Sequence, residues 1–226
     1  MKRRCKGYKK ALESIEMNKV YDLSEAVAIL KQLPKKKFDE SVDLAICLNL
    51  DPKQSEQMVR GTVLLPNGTG KTKKIAVFCK GEAENEAKGA GADFVGAQEL
   101  IDKVAGGWLE FDVAVSTPEM MRDLSKLGKM LGPRGLMPSP KTGTVTNDIA
   151  RAVKELKAGK IEYKSDKQAG IHIGIGKISF EIDKLIENIT TALSAIKGSR
   201  PASVKGDFIK SISLSTTMSP GIKVVP

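Results

Sequence analysis

The sequence is poor in the residues that usually carry catalysis or staple a fold. It holds one histidine, one tryptophan and three cysteines in 226 residues. A single His172, with no CxxC or HExxH pattern, excludes the familiar zinc sites and every histidine-based acid–base dyad. Flanked by Ile171 and Ile173, it is expected to be a partly buried structural residue of a strand. Cys5, Cys47 and Cys79 are odd in number and far apart, so no disulfide framework can be drawn and a reducing, cytoplasmic compartment is expected. No apolar run approaches the roughly 18 residues of a membrane span. Met1-Lys2-Arg3-Arg4 leads into Cys5-Lys6-Gly7-Tyr8 rather than an apolar stretch, so neither a secretory signal nor a membrane partner is expected.

What is present divides into two patterns. In the middle, Lys74–Cys79 is a short apolar run suited to a buried strand, followed by Gly81 and the helix formers Glu82–Ala90. A strand-like Asp93–Gly96, a helical Ala97–Ala105 and a second buried run, Phe111–Val115, come next, and Ser116-Thr117-Pro118 opens another helix. Strand and helix alternating at this spacing predict βαβ units and a parallel sheet. The flanks differ. Asp22-Leu23-Ser24-Glu25 reads as a capping box, with Leu23, Ala26, Val27 and Leu30 on one helical face before Pro34. Val42, Leu44, Ile46, Leu48 and Leu50 alternate as in a half-buried strand. Gly170–Phe180 is strand-like; a helix then carries Ile182, Leu185, Ile186, Ile189, Leu193 and Ile196 to Gly198, and Phe208, Ile209, Ile212 and Leu214 mark a last strand. Neither flank has enough elements for a domain of its own. The expected fold is therefore α/β and α+β. Residues 1–66 and 157–226 form a discontinuous α+β domain containing both termini, and an α/β domain, 67–156, is inserted into it.

The net charge is +10. Residues 1–66 carry 13 basic and 9 acidic side chains, 67–156 carry 13 and 12, and 157–226 carry 11 and 6. The excess thus concentrates on the two distant ends, which converge if they fold together. A cationic body of this kind suits a polyanionic partner, because each neutralised phosphate releases condensed counterions.

Several enzyme motifs begin and fail. Gly68-Thr69-Gly70-Lys71-Thr72 resembles a P-loop, but Leu65 stands where the first glycine belongs and a strand, not a helix, follows. Gly89-Ala90-Gly91 and Gly174-Ile175-Gly176 start like dinucleotide fingerprints, with Phe94 and Ser179 at the third glycine position. Both read as turns or tight packing. No GxSxG elbow occurs. No enzyme activity, cofactor, metal or small-molecule substrate is expected. With aromatics at 4%, the base-stacking signature of RNA-recognition sheets is also missing, so contact through shape, phosphate and ribose is expected.

Four stretches remain: Lys37-Phe38-Asp39-Glu40-Ser41 entering the alternating strand, the loop Leu131-Gly132-Pro133-Arg134-Gly135-Leu136-Met137-Pro138, Asp166-Lys167 before Gly170-Ile171-His172, and Ser215-Thr216-Thr217-Met218. Together with Val59-Arg60-Gly61-Thr62, their order and spacing closely resemble the bacterial type of the large-subunit ribosomal protein L-one family, over essentially the whole chain. The resemblance implies that the insert is a Rossmann-like, three-layer α/β domain. It implies a protein that binds the stalk of large-subunit ribosomal RNA, assists release of deacylated tRNA from the exit site, and represses translation by binding its own mRNA leader. Ribosome association in the cytoplasm and a monomeric state off the ribosome follow. A messenger repressor acting wholly off the ribosome would use the same binding chemistry.

Matched position by position, the resemblance implies an RNA surface of Lys37, Phe38, Glu40, Ser41, Asp166, Lys167, Ser211, Thr217, Met218 and Ser219, with a secondary contact at Arg134 and Lys141. Lys37 and Lys167 suit phosphate; Ser41, Ser211 and Thr217 suit ribose hydroxyls or base edges. Phe38 and Met218 offer apolar contact; the alternative for Phe38 is a core residue at the strand end. Glu40 and Asp166 repel phosphate, so they must accept hydrogen bonds from RNA or orient nearby cations. Ser219 stands where the family usually has glycine, which adds a side chain to that surface. Ile173-Gly174 replaces a small residue and proline.

Overall fold

A computed structural model describes residues 6–16, 19–34, 36–51, 57–201, 204 and 206–225. In chain order the elements begin α1 (Lys6–Glu13), β1 (Val20–Tyr21), α2 (Leu23–Gln32), β2 (Ser41–Leu48) and β3 (Arg60–Leu64). The middle holds β4 (Ile75–Phe78), α3 (Glu82–Gly89), β5 (Phe94–Gly96), α4 (Gln98–Ala105), β6 (Val113–Ser116), the short α5 (Met121–Leu124) and α6 (Gly128–Leu131), and α7 (Ile149–Ala158). The chain ends with β7 (Lys160–Lys164), β8 (Gly170–Lys177), α8 (Ile182–Gly198), β9 (Ile209–Thr216) and β10 (Ile222–Val224).

These elements pack as two compact units, one built from both chain ends up to Gly70 and from Ile161, the other from Lys71–Lys160. Relative to boundaries at 66 and 156, Lys157 and Lys160 pass to the second unit, which then carries +3 against +7 for the first. Both lysines are engaged within their own unit: Lys157 lies 3.8 Å from Asp93 and Lys160 lies 2.9 Å from Glu155.

In the first unit a five-stranded sheet runs in the order β1-β10-β9-β2-β8. Strand β2 is central, antiparallel to β8 on one side and β9 on the other. Its strict alternation buries Val42, Leu44, Ile46 and Leu48 and leaves Ser41, Asp43, Ala45 and Cys47 half-buried on the opposite face. Ala26, Val27 and Leu30 of α2 and Leu185, Ile189, Ala192 and Ile196 of α8 cover the buried face in one core. The helices thus lie on one side of the sheet, and β3 and β7 form a separate two-stranded ribbon.

Several local expectations change. Asp22 caps α2 through its carbonyl, which accepts from Ala26 N–H at 2.9 Å; its carboxylate takes the Ser24 hydroxyl at 2.7 Å, so no capping box forms. The last strand is β10, parallel to β1 and antiparallel to β9, rather than β9 itself. Ile182 is exposed and Asn188 fully buried, so the inward stripe of α8 is rotated from the purely apolar one. Asn188 Nδ2 donates to Gly68 O (3.0 Å) and Ile175 O (2.9 Å), and its Oδ1 accepts from Asn67 N–H (3.1 Å). The amide therefore ties α8 to β8 and to the loop that begins the Gly68–Thr72 stretch.

In the second unit β5, β4 and β6 form a parallel sheet in that order. Strand β4 is buried on both faces, as its uninterrupted apolar run predicts. Leu100, Ile101, Val104, Leu124 and Leu131 pack on one face of the sheet; Ala87, Ile149, Val153 and Leu156 pack on the other. The helix expected after Thr117 is broken into short α and 3-10 turns over 118–131, and Thr117 makes no side-chain cap. Cys79 is buried beside Glu84, and burial pushes its thiol up to about 11, which keeps it unreactive.

Asn188→Ala should lower unfolding free energy by about 2–4 kcal/mol, because the buried Ile175 carbonyl, the half-buried Gly68 carbonyl and the Asn67 N–H lose their partner at once. Urea denaturation with an unchanged slope and a lower midpoint is the expected reading.

Candidate nucleic-acid interface

With the helices on one side, the other face of the five-stranded sheet is open, and its residues follow from strand register. Cys47 faces Ser211 on β9 and Gly170 on β8; Ala45 faces Ser213 and His172; Asp43 faces Ser215 and Gly174. Lys223 of β10 extends the row of Ser213. Apart from His172 and Lys223, side chains on this face are small, so a polar chain can approach the backbone closely.

The expected residues of the first unit sit at the two ends of this face, about 23 Å apart along β2 at ~3.3 Å per residue. At the Ser41 end, the β9–β2 ladder is closed by Thr217, whose N–H donates to Ser41 O and whose Oγ1 accepts from Ser41 N–H, both at 3.1 Å. Lys177 Nζ donates to Ser41 Oγ (3.2 Å) and Asp39 O (3.1 Å), bringing a cation to this corner. Phe38 is 53% exposed and Met218 49%, so Phe38 is not a core residue at the strand end but, like Met218, an exposed apolar side chain. Lys37 is exposed beside Phe38.

Glu40 is only 6% exposed. Its Oε2 accepts the Thr216 hydroxyl at 2.7 Å, and its Oε1 has no partner among the described residues. A neutral hydroxyl, not a cation, is thus what Glu40 orients. Ser219 turns back on its own loop, its Oγ accepting from Thr216 N–H (2.8 Å) and donating to Pro220 O (3.0 Å). The hydroxyl that replaces glycine is absorbed by the turn that presents Thr217 and Met218.

At the other end, Asp166 builds the turn that carries Lys167. Its Oδ1 accepts from Gln168 N–H (2.8 Å) and Gly170 N–H (2.7 Å), and these bonds hold its carboxyl below the usual carboxylate range. The turn needs Ala169 in the left-handed region, φ 59°, and a Cβ on Gly170 would meet Asp166 Oδ2 at 3.1 Å. Lys167 at the tip is exposed, as is Ser211 across the sheet.

His172 is the clearest departure. It is not buried: its side chain is 71% exposed on the open face, with Nε2 3.9 Å from Asp166 Oδ2. The alternation that buries Ile171 and Ile173 necessarily turns the residue between them outward. Nor is Gly174-Ile175-Gly176 a turn. It lies within β8, where the register shifts by one residue opposite Val42 and Asp43, and Gly176 packs against Phe180 and Leu185. The replacement of a small residue and proline by Ile173-Gly174 thus falls beside a bulge.

Arg134 and Lys141 belong to the other unit. Arg134 is exposed in a turn tied by Leu136 N–H to Leu131 O (3.0 Å) and Gly135 N–H to Gly132 O (3.0 Å), with Gly135 at φ 70°. Lys141 is exposed in the 3-10 turn Pro140–Thr142. Sequence reasoning missed Lys177, His172, Ser213, Ser215 and Lys223. Strand alternation signals His172, Ser213 and Ser215, but only the register shift in β8 turns Lys177 to this face and only the pairing of β10 with β9 places Lys223.

An open sheet face of mostly small side chains, bordered by lysines and with neither a metal cluster nor a catalytic constellation among the described residues, is the surface of a structural protein. Residues 30–220 match the family model described as the ribosomal protein L1p/L10e family. The "Large ribosomal subunit protein uL1" of Protochlamydia amoebophila (strain UWE25) is 54% identical over 224 residues, covering 99% of this chain and 95% of the relative. The protein of the same name from Onion yellows phytoplasma (strain OY-M) is 53% identical, covering 99% and 97%. The chain belongs to the ribosomal protein L1p/L10e family. It is a structural, non-enzymatic ribosomal protein, associated with ribosomes in the cytoplasm. Among the described residues, no helix is long and apolar enough to cross a membrane.

Thr216→Val should destabilise the fold by about 2–3 kcal/mol, since it strips the buried Glu40 carboxylate of its hydroxyl, whereas Thr216→Ser should be tolerated. A lower urea midpoint for the valine variant alone is expected. Asp166 stabilises the fold above its ordinary value of 3.8 and ceases to do so as pH falls through its lowered folded value. Asp166→Asn should therefore flatten the acid limb of stability against pH below about pH 5, read as urea midpoints.

Proposed function

We propose that the unit containing both chain ends is a discontinuous RNA-binding domain that holds the stalk region of large-subunit ribosomal RNA against its open sheet face. The observation that carries this reading is the placement of Lys37, Phe38, Ser41, Thr217 and Met218 at one end of that face and Asp166, Lys167 and Ser211 at the other. Ribosomal family membership and relatives named as large-subunit proteins support the partner.

The chemistry is shape-led. Small side chains let the ribose–phosphate chain approach the sheet; Ser41, Ser211 and Thr217 offer hydroxyls to 2′-OH groups, and Lys37, Lys167 and Lys177 neutralise phosphates. Phe38 and Met218 supply the apolar contact that a free base or sugar edge can cover. Glu40, through Thr216, and Asp166, through its turn, position these groups. The Lys71–Lys160 unit is a Rossmann-like inserted domain whose Arg134 and Lys141 make a secondary contact with RNA. The protein assists the departure of deacylated tRNA from the exit site. The same face takes a look-alike element in its own mRNA leader, so ribosomal RNA and messenger compete, and free protein represses translation. Off the ribosome the chain is a monomer.

Sucrose-gradient fractionation of cell lysate at moderate salt should place the protein with large subunits; its absence there would sink this reading. Lys167→Ala should weaken binding to a stalk-region transcript and flatten the dependence of log K on log salt by roughly 0.7–0.9. An unchanged slope would show Lys167 to be merely solvated.

A further inference from the structure

Beyond the Ser211 end of the open face lies a groove that none of the sites above uses. It has a volume of about 590 Å³ and is lined by Lys197 in the last turn of α8, Arg200 just after it, Gly206, Asp207 and Phe208 leading into β9, and Lys210 near the start of β9. That volume falls within the roughly 300–1,000 Å³ of clefts that hold small ligand groups. Three cations and one carboxylate line it. Among the described residues none of the three cations has a carboxylate within ion-pair distance, so the groove carries uncompensated positive charge.

Each wall is fixed for a structural reason. Arg200 donates twice from Nη2, to Val204 O (2.8 Å) and Gly206 O (3.0 Å). These bonds hold the guanidinium in the loop, and among the described residues its Nε and Nη1 hydrogens have no acceptor. Three of the four closing carbonyls of α8, whose partial negative charge would oppose an anion, are taken: Ala195 O and Ile196 O accept from Ser199 N–H (3.1 Å each), and Lys197 O accepts from Arg200 N–H (3.3 Å). Phe208 is buried and forms an apolar floor.

The connection to the open face is made by an irregularity in the β2–β9 ladder. Cys47 pairs with Ser211 but Leu48 pairs with Ile209, so Lys210 is the extra residue of a bulge. In a regular strand Lys210 and Ser211 would point to opposite faces; here both are exposed. The bulge thus places a lysine next to the expected RNA residue Ser211 and at the mouth of the groove.

We propose that this groove is a phosphate subsite, in which Lys197, Arg200 and Lys210 hold a backbone phosphodiester of the RNA strand that leaves the open face past Ser211. The inference rests on the RNA-binding reading of that face and extends its footprint toward the end of α8. RNA is favoured over a free anion because the groove is open and continuous with a face whose own groups suit ribose and phosphate.

The test uses the full chain and a labelled transcript of the large-subunit stalk region, titrated across a salt series. The Lys197→Ala/Lys210→Ala pair should bind more weakly than wild type, with a log K against log salt slope shallower by roughly 0.7–0.9, the contribution of one phosphate. The Lys197→Arg/Lys210→Arg pair should keep the wild-type slope. Lys88→Ala/Lys103→Ala, which removes the same charge from exposed helix positions of the other unit, should also keep it. Equal slopes for the wild type and the Lys197→Ala/Lys210→Ala pair, or equal flattening by both alanine pairs, would overturn the subsite while leaving the RNA-binding reading intact. Failure of the wild type itself to bind the transcript would overturn that reading instead. Inorganic phosphate at millimolar concentration should leave the wild-type slope unchanged; displacement of RNA that is lost in the Lys197→Ala/Lys210→Ala pair would show a site for the free anion and overturn the assignment to RNA.

Discussion

Strand β2 lies between β8 and β9, antiparallel to both, and this arrangement organises the whole terminal unit. Because side chains alternate across a strand, burying Val42, Leu44, Ile46 and Leu48 under α2 and α8 obliges Ser41, Asp43, Ala45 and Cys47 to face the other way. The same register aligns Ser211, Ser213 and Ser215 on one side and His172 and Gly174 on the other. A slip of one residue would exchange the core and the open face. The open face, proposed above to hold RNA, is therefore the reverse side of the hydrophobic core.

Polar groups at the edges of this sheet work mainly on the protein's own backbone. Thr217 closes the β2–β9 ladder, Ser219 locks the turn after it, Asp166 shapes the turn that carries Lys167, and Asn188 joins α8 to β8 and to the Asn67–Gly68 loop. Each holds a neighbouring contact group in place, which lowers the ordering entropy left to be lost on binding. Lys37, Lys167, Lys210 and Lys223, in contrast, are exposed. Preorganised hydroxyls and exposed cations suit the proposed surface, which would read the shape of RNA and gain much of its affinity from counterion release.

The inserted unit follows a different rule. Its strand β4 is buried on both faces, so its sequence is a plain apolar run with no alternation to assign an open side. Helices cover both faces of the sheet, and its two expected contact residues, Arg134 and Lys141, sit in turns. Function on such a scaffold is confined to loops, as in other sheets covered on both faces.

Much of this was legible in the amino-acid order. Alternation in β2, the apolar run of β4, the faces of α2 and α8, and the concentration of positive charge on the two chain ends are local properties that one strand or helix displays by itself. The ordered motifs around Lys37, Asp166 and Thr217 identified the family for the same reason. Tertiary structure decided what depends on a neighbour. Whether Phe38 was core or surface, where Glu40 found a partner, and how Ser219 spent its hydroxyl each required knowing which distant segment lay alongside. His172 turned outward although its flanking isoleucines suggested burial, because the two sides of a strand are told apart only when one of them is covered. Lys210 is the sharpest case: a bulge set by the pairing of β2 with β9, and by nothing in its own segment, turned it toward the groove beside Ser211.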